Sequence, residues 1–249
     1  MASMDDLQAL SLQMDWGVDE ALAASPVVRW RVDAAVDAPA AQARSPPPLP
    51  SAAADARPEL AAIATIGALY DTWAQFGGCG LRATATTTVR PSGKGARHVL
   101  MLGDAPSADD DRAGLAFSGP SGTMLDRVLA SAGLGRADIS LAHLVPWRPP
   151  GNRPPSEAEL RVCLPFVYRL LQLSAPRHVV LMGQGAARML LGSDERLSRL
   201  RGHWQELTVP NHPHPISAMA MAPAESWLRS PASKRDTWND LLLLRSSLD

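Results

Sequence analysis

The sequence is poor in cysteine and aromatic residues, has almost no net charge and contains no long apolar run. Two cysteines, Cys79 and Cys163, are too few for a disulfide framework or for a four-thiolate metal site within one chain. No stretch reaches the roughly 18 consecutive apolar residues of a membrane-spanning helix. The N-terminus has acidic flanks, unlike a secretory signal, so we expect an intracellular protein without a membrane partner.

Length and charge narrow the class of protein further. The chain has 249 residues, 46% of them hydrophobic, and a formal net charge of −1. This length suffices for one domain with a buried core and some additional polypeptide. Near-neutral charge argues against a strongly basic protein that coats nucleic acid, but it is compatible with a local basic cleft.

The N-terminal part differs in composition from the rest of the chain. Residues 33–57 are rich in alanine and proline and lack apolar periodicity, which predicts a linker. Within the preceding segment, 1–32, apolar side chains at helical spacing predict a short amphipathic helix over 4–24. That helix is either a surface helix or a tethered segment that binds a protein partner. The folded domain is expected at 58–249.

Short apolar runs alternate with helical patterns beyond residue 58. The apolar runs predict four strands, at 98–102, 139–145, 178–182 and 216–221. Apolar residues at helical spacing predict helices at 60–76, 121–132, 156–173, 185–191 and 234–244. Strands separated by helices imply an α/β fold with a mainly parallel sheet covered on both faces. Ligands bind such sheets at the carboxyl ends of the strands.

Three loops that follow predicted strands carry residues suited to DNA or another anion. Glycines and aspartates in 103–122 lead into a helix whose free amides can hold a phosphate, or they form a plain turn and cap. Prolines fix the loop of Arg148 and Arg153, which either holds a phosphate backbone or forms a solvated crossover. Trp227 and Leu228 are either a wedge for a base stack or packing for the last helix.

Motifs in these loops and in the segments between them occur in a recognisable order, namely GDAP, GLAFSG, PWRPPGNRPP, HVVLMG, RGHW and WLRSPASKRDTWNDL. Over 76–244 this set resembles the family 4 uracil-DNA glycosylases, especially their proteobacterial branch. The resemblance implies a three-layer α/β/α sandwich around a mainly parallel four-stranded sheet. It also implies an enzyme that flips a deoxyuridine out of DNA and hydrolyses its N-glycosidic bond. The expected location is the bacterial cytoplasm or nucleoid.

The resemblance assigns a role to each of five residues. Asp104, expected to be catalytic, replaces a glutamate that acts on the attacking water or the positive sugar, and Ala105 beside it is expected to bind the base. Phe117 matches the aromatic residue that stacks on the base, with a plain core residue as the alternative. His143 replaces an asparagine that pairs with the uracil edge, but its donor and acceptor point in other directions. Ala222 replaces a histidine that stabilises the departing base, and a methyl group cannot donate a hydrogen bond.

Phosphate contacts and a metal cluster are the remaining features that the resemblance implies. DNA phosphates are expected at Arg148, Arg153, Ser226, Arg229 and Lys234. Many family members bind a four-iron cluster through four cysteines, but Phe76 and Trp147 occupy two of those positions here. We therefore expect no cofactor and no metal, with Cys79 and Cys163 as remnants of the cluster site.

Two hypotheses about function follow. The first is a DNA-repair glycosylase that excises uracil or another deaminated base from single- or double-stranded DNA and acts as a monomer. The second is a catalytically impaired relative that binds DNA or serves as a protein-interaction module. The second is motivated by the simultaneous change at three polar positions of the family motifs.

Overall fold

The computed structural model of the protein describes residues 58–248. The predicted N-terminal segment, 1–32, and the predicted linker, 33–57, lie outside the described residues. The helices are α1 (Pro58–Ala61), α2 (Ile66–Gln75), α3 (Ala108–Ala113), α4 (Gly119–Ser131), α5 (Glu157–Ser174), α6 (Gln184–Leu191), α7 (Leu197–Leu200), α8 (Ala224–Arg229) and α9 (Pro231–Ser246). The strands are β1 (Ser92–Gly93), β2 (Val99–Gly103), β3 (Ile139–His143), β4 (His178–Met182), β5 (Gln205–Leu207) and β6 (Ile216–Met221).

All six strands belong to one sheet, in the order β1-β3-β2-β4-β6-β5. The four central strands are parallel, which confirms the predicted fold class. β1 and β5 add an antiparallel strand at each edge, so the sheet has six strands where the sequence predicted four. The two edge strands contain only two and three residues. Segments that short show no readable alternation of polar and apolar residues.

The sheet separates two apolar cores. Side chains such as Leu102 and Leu181 on one face pack with α2, α5 and α6. Side chains such as Met101 and Val180 on the other face pack with α4, α8 and α9. This is the three-layer arrangement expected of a parallel sheet whose strands are buried on both faces. Within residues 58–248, no helix is both long and apolar enough to cross a bilayer.

Two helices begin with a capping box. At the start of α3, the hydroxyl of Ser107 accepts a hydrogen bond from the backbone N–H of Asp110. The Asp110 carboxylate in turn accepts one from the backbone N–H of Ser107. Ser156 and Glu159 form the same reciprocal pair at the start of α5. Each box satisfies amides that have no partner in the first helical turn. Helix α5 was predicted from its periodicity, whereas α3 carries three aspartates and no apolar stripe.

Aromatic rings fill the region that the resemblance links to a metal cluster. The rings of Trp73 and Phe166 stack with centroids 4.8 Å apart, and Phe76 lies 5.2 Å from Phe166. Trp147 meets Trp73 edge to face at 6.5 Å. The indole N–H of Trp147 donates to Oγ1 of Thr88 at 3.1 Å. Phe76 and Trp147 are thus packing residues of the first core.

Cys79 and Cys163 are buried free thiols beside these rings. A hydrogen bond with Cys163 lowers the pKa of Cys79 to about 7. Two thiols do not fit a four-iron cluster that is held by four cysteines. Within the described part of the chain, no group of three or more His, Cys, Asp or Glu residues is placed to bind a metal ion.

Replacing the buried indole should destabilise the domain. Trp147 is 1% exposed, so Trp147→Ala should lower the free energy of unfolding by about 3–5 kcal/mol because it leaves a cavity and an unpaired Thr88 hydroxyl. Trp238, which is 39% exposed on α9, provides the matched control. Urea denaturation followed by circular dichroism measures both variants. Equal losses for Trp147→Ala and Trp238→Ala would contradict a packing role for Trp147.

Candidate active site

The carboxyl ends of β2, β3 and β4 form the floor of a cavity of about 440 Å³. The strand ends are in register, because Gly103 of β2 pairs with His143 of β3 and with Met182 of β4. The proline-rich loop after β3 and the segment after β6 complete the walls. The side chains that matter below are Asp104, Ala105, Phe117, His143, Arg153 and Glu225, all of which line this cavity.

Asp104 follows β2 and caps helix α6. Its Oδ1 accepts the amide N–H of Ala186 at 2.6 Å, and its Oδ2 accepts that of Gly185 at 3.1 Å. Gly183 makes room for this contact, because a Cβ there would lie 2.5 Å from Oδ2 of Asp104. Gly183 also has a φ of 136°, which L side chains rarely adopt. The carboxyl group is therefore held in one place at the wall of the cavity.

Burial raises the pKa of Asp104 above its ordinary value. The amides of Ala186 and Gly185 and the nearby His143 act in the opposite direction, while the charge of Glu225 adds to the rise. The carboxyl group therefore loses its proton at a higher pH than an exposed aspartate does. A raised pKa makes a carboxylate a better proton acceptor near neutral pH.

Phe117 is fixed by its backbone as well as by its ring. Its φ is 53°, in the left-handed region, and Arg136 donates to its carbonyl oxygen at 2.5 Å. The same guanidinium donates to Asp126 and to Ser92. A Cβ on Gly122 would lie 1.8 Å from the Phe117 carbonyl oxygen. Left-handed backbone at a phenylalanine is unfavourable and persists only when its surroundings enforce it.

His143 ends β3 and stacks on Phe117, with ring centroids 4.7 Å apart and planes at 23°. Its Nε2 lies 3.3 Å from Oδ2 of Asp110. The two groups are not aligned for a hydrogen bond, and both ring nitrogens are shielded from solvent without a hydrogen-bond partner. The imidazole therefore borders the cavity while its nitrogens are withdrawn from it.

Asp110 is a site residue that the sequence did not single out. It is 1% exposed, and its carboxylate accepts hydrogen bonds from the backbone N–H groups of Ser107 at 2.9 Å and Ser118 at 2.5 Å. Burial raises its pKa, but His143 and the two amides outweigh burial and bring the pKa below its ordinary value. This carboxylate contacts the start of α3 through Ser107, the loop of Phe117 through Ser118, and the imidazole of His143. The Ser-x-x-Asp capping pattern was its only sequence signal.

The segment after β6 contributes a carboxylate rather than the predicted alanine. Glu225 is half-buried in the first turn of α8 and lines the cavity. Ala222 is absent from the cavity lining and packs, half-buried, on the second core. Nothing in the sequence pattern of this segment marked Glu225.

Two of the predicted phosphate contacts lie in the proline-rich loop. Arg153 lines the cavity and pairs with Glu159 at 2.6 Å. Arg148 donates to Oδ1 of Asn152 at 2.7 Å. Gly151 and Asn152 both have positive φ, at 66° and 55°. The loop thus presents two guanidinium groups that already have partners within the chain.

The other predicted phosphate contacts lie on α8 and α9. The hydroxyl of Ser226 donates to the carbonyl of Pro223 and contacts the Ser233 hydroxyl, both at 2.7 Å. Lys234 is exposed on α9. Arg229 is the last residue of α8. Ser226 is therefore engaged in the junction of the two helices, whereas the Lys234 side chain faces solvent.

A methyl group added to Gly122 should damage the Phe117 loop. Gly122→Ala should lower the free energy of unfolding by about 1–3 kcal/mol, because its Cβ collides with a backbone carbonyl. Gly67, also helical, has nothing within 4 Å of an added Cβ, so Gly67→Ala should be neutral or stabilising. Urea midpoints measure both variants. A stabilised Gly122→Ala protein would contradict the tight contact at the carbonyl of Phe117.

Known proteins match the region that builds this cavity. Residues 91–242, which contain all six strands, match the family model of the uracil DNA glycosylase superfamily. The type-4 uracil-DNA glycosylase of Pyrobaculum aerophilum is 28% identical over 178 residues, which cover 66% of this chain and 85% of that protein. The chain is also similar to the type-4 uracil-DNA glycosylase of Archaeoglobus fulgidus, with 32% identity over 52% of this chain and 67% of that protein. The enzyme of the same name from Saccharolobus solfataricus is 27% identical over 63% of this chain and 78% of that protein. The chain belongs to the uracil-DNA glycosylase superfamily.

Proposed function

We propose that this chain is a DNA glycosylase that hydrolyses the N-glycosidic bond of a damaged base flipped out of DNA. The observation that supports this most directly is a cavity of about 440 Å³ with a carboxyl group, Asp104, and an aromatic ring, Phe117, in its walls. Its volume suits one flipped base. The relatives are named for uracil, so uracil and other deaminated bases are the first substrates to consider.

Asp104 would act at the sugar. As the bond between C1′ and the base nitrogen lengthens, positive charge develops on the sugar, and the carboxylate of Asp104 stabilises it. The same carboxylate accepts a proton from the water that attacks C1′. Two backbone amides of α6 fix its position, and small errors of position are costly for this chemistry.

Phe117 and His143 would contact the flipped base. The stacked pair of rings presents a planar surface to the cavity, which suits the face of a nucleobase. His143 meets the base edge only if its ring turns from Asp110, because its nitrogens are shielded in this conformation. Selection of uracil through a polar edge is thus weaker than an asparagine would give.

The catalytically impaired alternative also has support. Ala222 does not line the cavity, and the histidine that it replaces supplies a hydrogen bond to the departing base in the family. Loss of one such donor costs about 10²–10³ in rate. A protein that binds DNA without releasing a base would fit these changes.

Asp104→Asn separates the two hypotheses. It should lower the single-turnover rate of base release at least roughly a hundredfold, because the amide cannot accept the proton of water. The substrates are labelled oligonucleotides, single- and double-stranded, that carry uracil, hypoxanthine or xanthine, and alkaline cleavage reveals abasic sites. Asp194→Asn, an exposed change, is the matched control. An unchanged rate in Asp104→Asn would refute its role, whereas DNA binding without any release by the wild type would support the impaired alternative.

Leu228 is the candidate wedge for opening a duplex. Trp227 is buried and packs in the second core, whereas Leu228 is 50% exposed beside it. Leu228→Ala should slow base release from duplex DNA roughly tenfold and leave single-stranded DNA little affected, because only the duplex must be unstacked. Leu242, 45% exposed on α9, supplies the control variant Leu242→Ala. Equal effects of Leu228→Ala on the two substrates would exclude a wedge.

A further inference from the structure

Arg136 connects three parts of the chain through one side chain. It lies between α4 and β3. Its guanidinium donates from Nε to Oδ1 of Asp126 at 2.7 Å, from Nη1 to Oγ of Ser92 at 2.9 Å and from Nη2 to the carbonyl oxygen of Phe117 at 2.5 Å. Asp126 belongs to α4 and Ser92 to β1. Because each nitrogen of the planar group is engaged, its orientation is fixed.

Charged side chains hold both ends of the peptide group between Phe117 and Ser118. Its oxygen accepts from Arg136, and its N–H donates to Oδ1 of Asp110 at 2.5 Å. A peptide group is negative at the oxygen and positive at the N–H, so a cation at the oxygen and a carboxylate at the N–H both favour this orientation. The plane of this peptide group is therefore set by hydrogen bonds to two charged groups.

The backbone at Phe117 determines where the phenyl ring lies. Phe117 has a φ of 53°, a conformation that is unfavourable for a phenylalanine and must be enforced by its surroundings. The ring stacks on His143 and lies against the end of β2, where a Cβ added to Gly103 would be 3.0 Å from Cζ of the ring. The direction of the Cα–Cβ bond follows the backbone. A return of φ to a negative value would thus move the ring from its place in the cavity wall.

We propose that Arg136 is a positioning residue that fixes the Phe117 ring where it stacks on the flipped base. This inference rests on the proposed glycosylase function. Arg136 is not among the residues that line the cavity, so it acts through the carbonyl oxygen of Phe117 and not on the base itself. A guanidinium suits this task, because it stays charged and donates in several directions within one plane.

The position of the ring can be measured without DNA. The chain has three phenylalanines, so isotopic labelling of phenylalanine gives NMR signals from three rings, and Phe117→Leu assigns those of Phe117. Arg136→Gln should shift the Phe117 signals, because the ring leaves its place against His143. The signals of Phe76 and Phe166 should not move, since those rings pack on the other face of the sheet. Unchanged Phe117 signals, or equal shifts of all three rings, would overturn the proposal.

A double-mutant cycle tests whether Arg136 acts through the ring. Arg136→Gln should slow single-turnover release of the preferred deaminated base from a single-stranded oligonucleotide by roughly tenfold, because a displacement of about 1 Å is costly for a positioned group. In the Phe117→Ala background, the same change should slow release less than about twofold, since the ring that it positions is gone. Equal slowing in the two backgrounds would exclude a role through Phe117.

Two further variants separate the lost contact from a lost charge and from misfolding. Arg127→Gln, an exposed change on α4, also removes one positive charge and should leave the rate and the ring signals unchanged. Slowing by Arg127→Gln equal to that by Arg136→Gln would overturn the proposal. If thermal unfolding shows that Arg136→Gln does not fold, Arg136→Lys replaces it. Lysine keeps the charge but cannot reproduce three contacts in one plane, so the Phe117 signals should again shift, and unchanged signals would refute the positioning role.

Failure of this inference is distinct from failure of the proposed function. Wild-type protein that releases a base, together with an Arg136→Gln variant that is unchanged in rate and in ring signals, overturns the positioning role and leaves the glycosylase intact. Wild-type protein that releases no base from any of the substrates overturns the proposed function and with it the stacking role. The ring signals then still decide whether Arg136 fixes the Phe117 ring.

Discussion

The capping of helix α6 by Asp104 is the contact on which the rest of the site depends. It joins the end of β2 to the start of the helix that follows β4, across the floor of the cavity. The two amides at the helix N-terminus favour the ionised carboxylate and so offset part of the burial that raises its pKa. Glycine at 183 and 185 is the condition for this contact, because a Cβ at either position would press on the carboxyl group. The side chain that we propose to be catalytic is therefore also the one that joins β2 to α6.

Asp110, which is buried, and Asp104, which is half-buried, have pKa values that are shifted in opposite directions. Asp110 has its pKa lowered, since His143 and two amides outweigh burial, whereas Asp104 has its pKa raised because burial outweighs its own two amides. The ionised form is therefore favoured at Asp110, which contacts three segments of the site, and disfavoured at Asp104. Environments that separate the pKa values of neighbouring groups commonly mark a division between structural and reactive roles.

Much of the sheet was predictable from the sequence, but contacts between residues that are distant along the chain were not. Apolar runs located the four parallel strands, and the rule on carboxyl ends brought Asp104, Phe117 and His143 to one edge. Helix α3 was missed because its aspartates show no apolar stripe, and α8 was missed because its proline and small residues resemble a loop. Glu225 and the pairing of Asp110 with His143 arise from packing between distant segments. Patterns of neighbouring residues in the sequence do not indicate such contacts.

The backbone of the proline-rich loop that carries Arg148 and Arg153 has little conformational freedom. Its prolines fix φ, and Gly151 and Asn152 already occupy left-handed backbone. Such a loop loses little conformational entropy when it meets a partner, so less of the interaction energy is spent on ordering it. If a DNA strand binds at this loop, as the sequence predicts, its association would depend mainly on the exchange of intramolecular partners and on the release of counterions. Salt concentration, rather than the ordering of the loop, would then set the affinity for DNA at this surface.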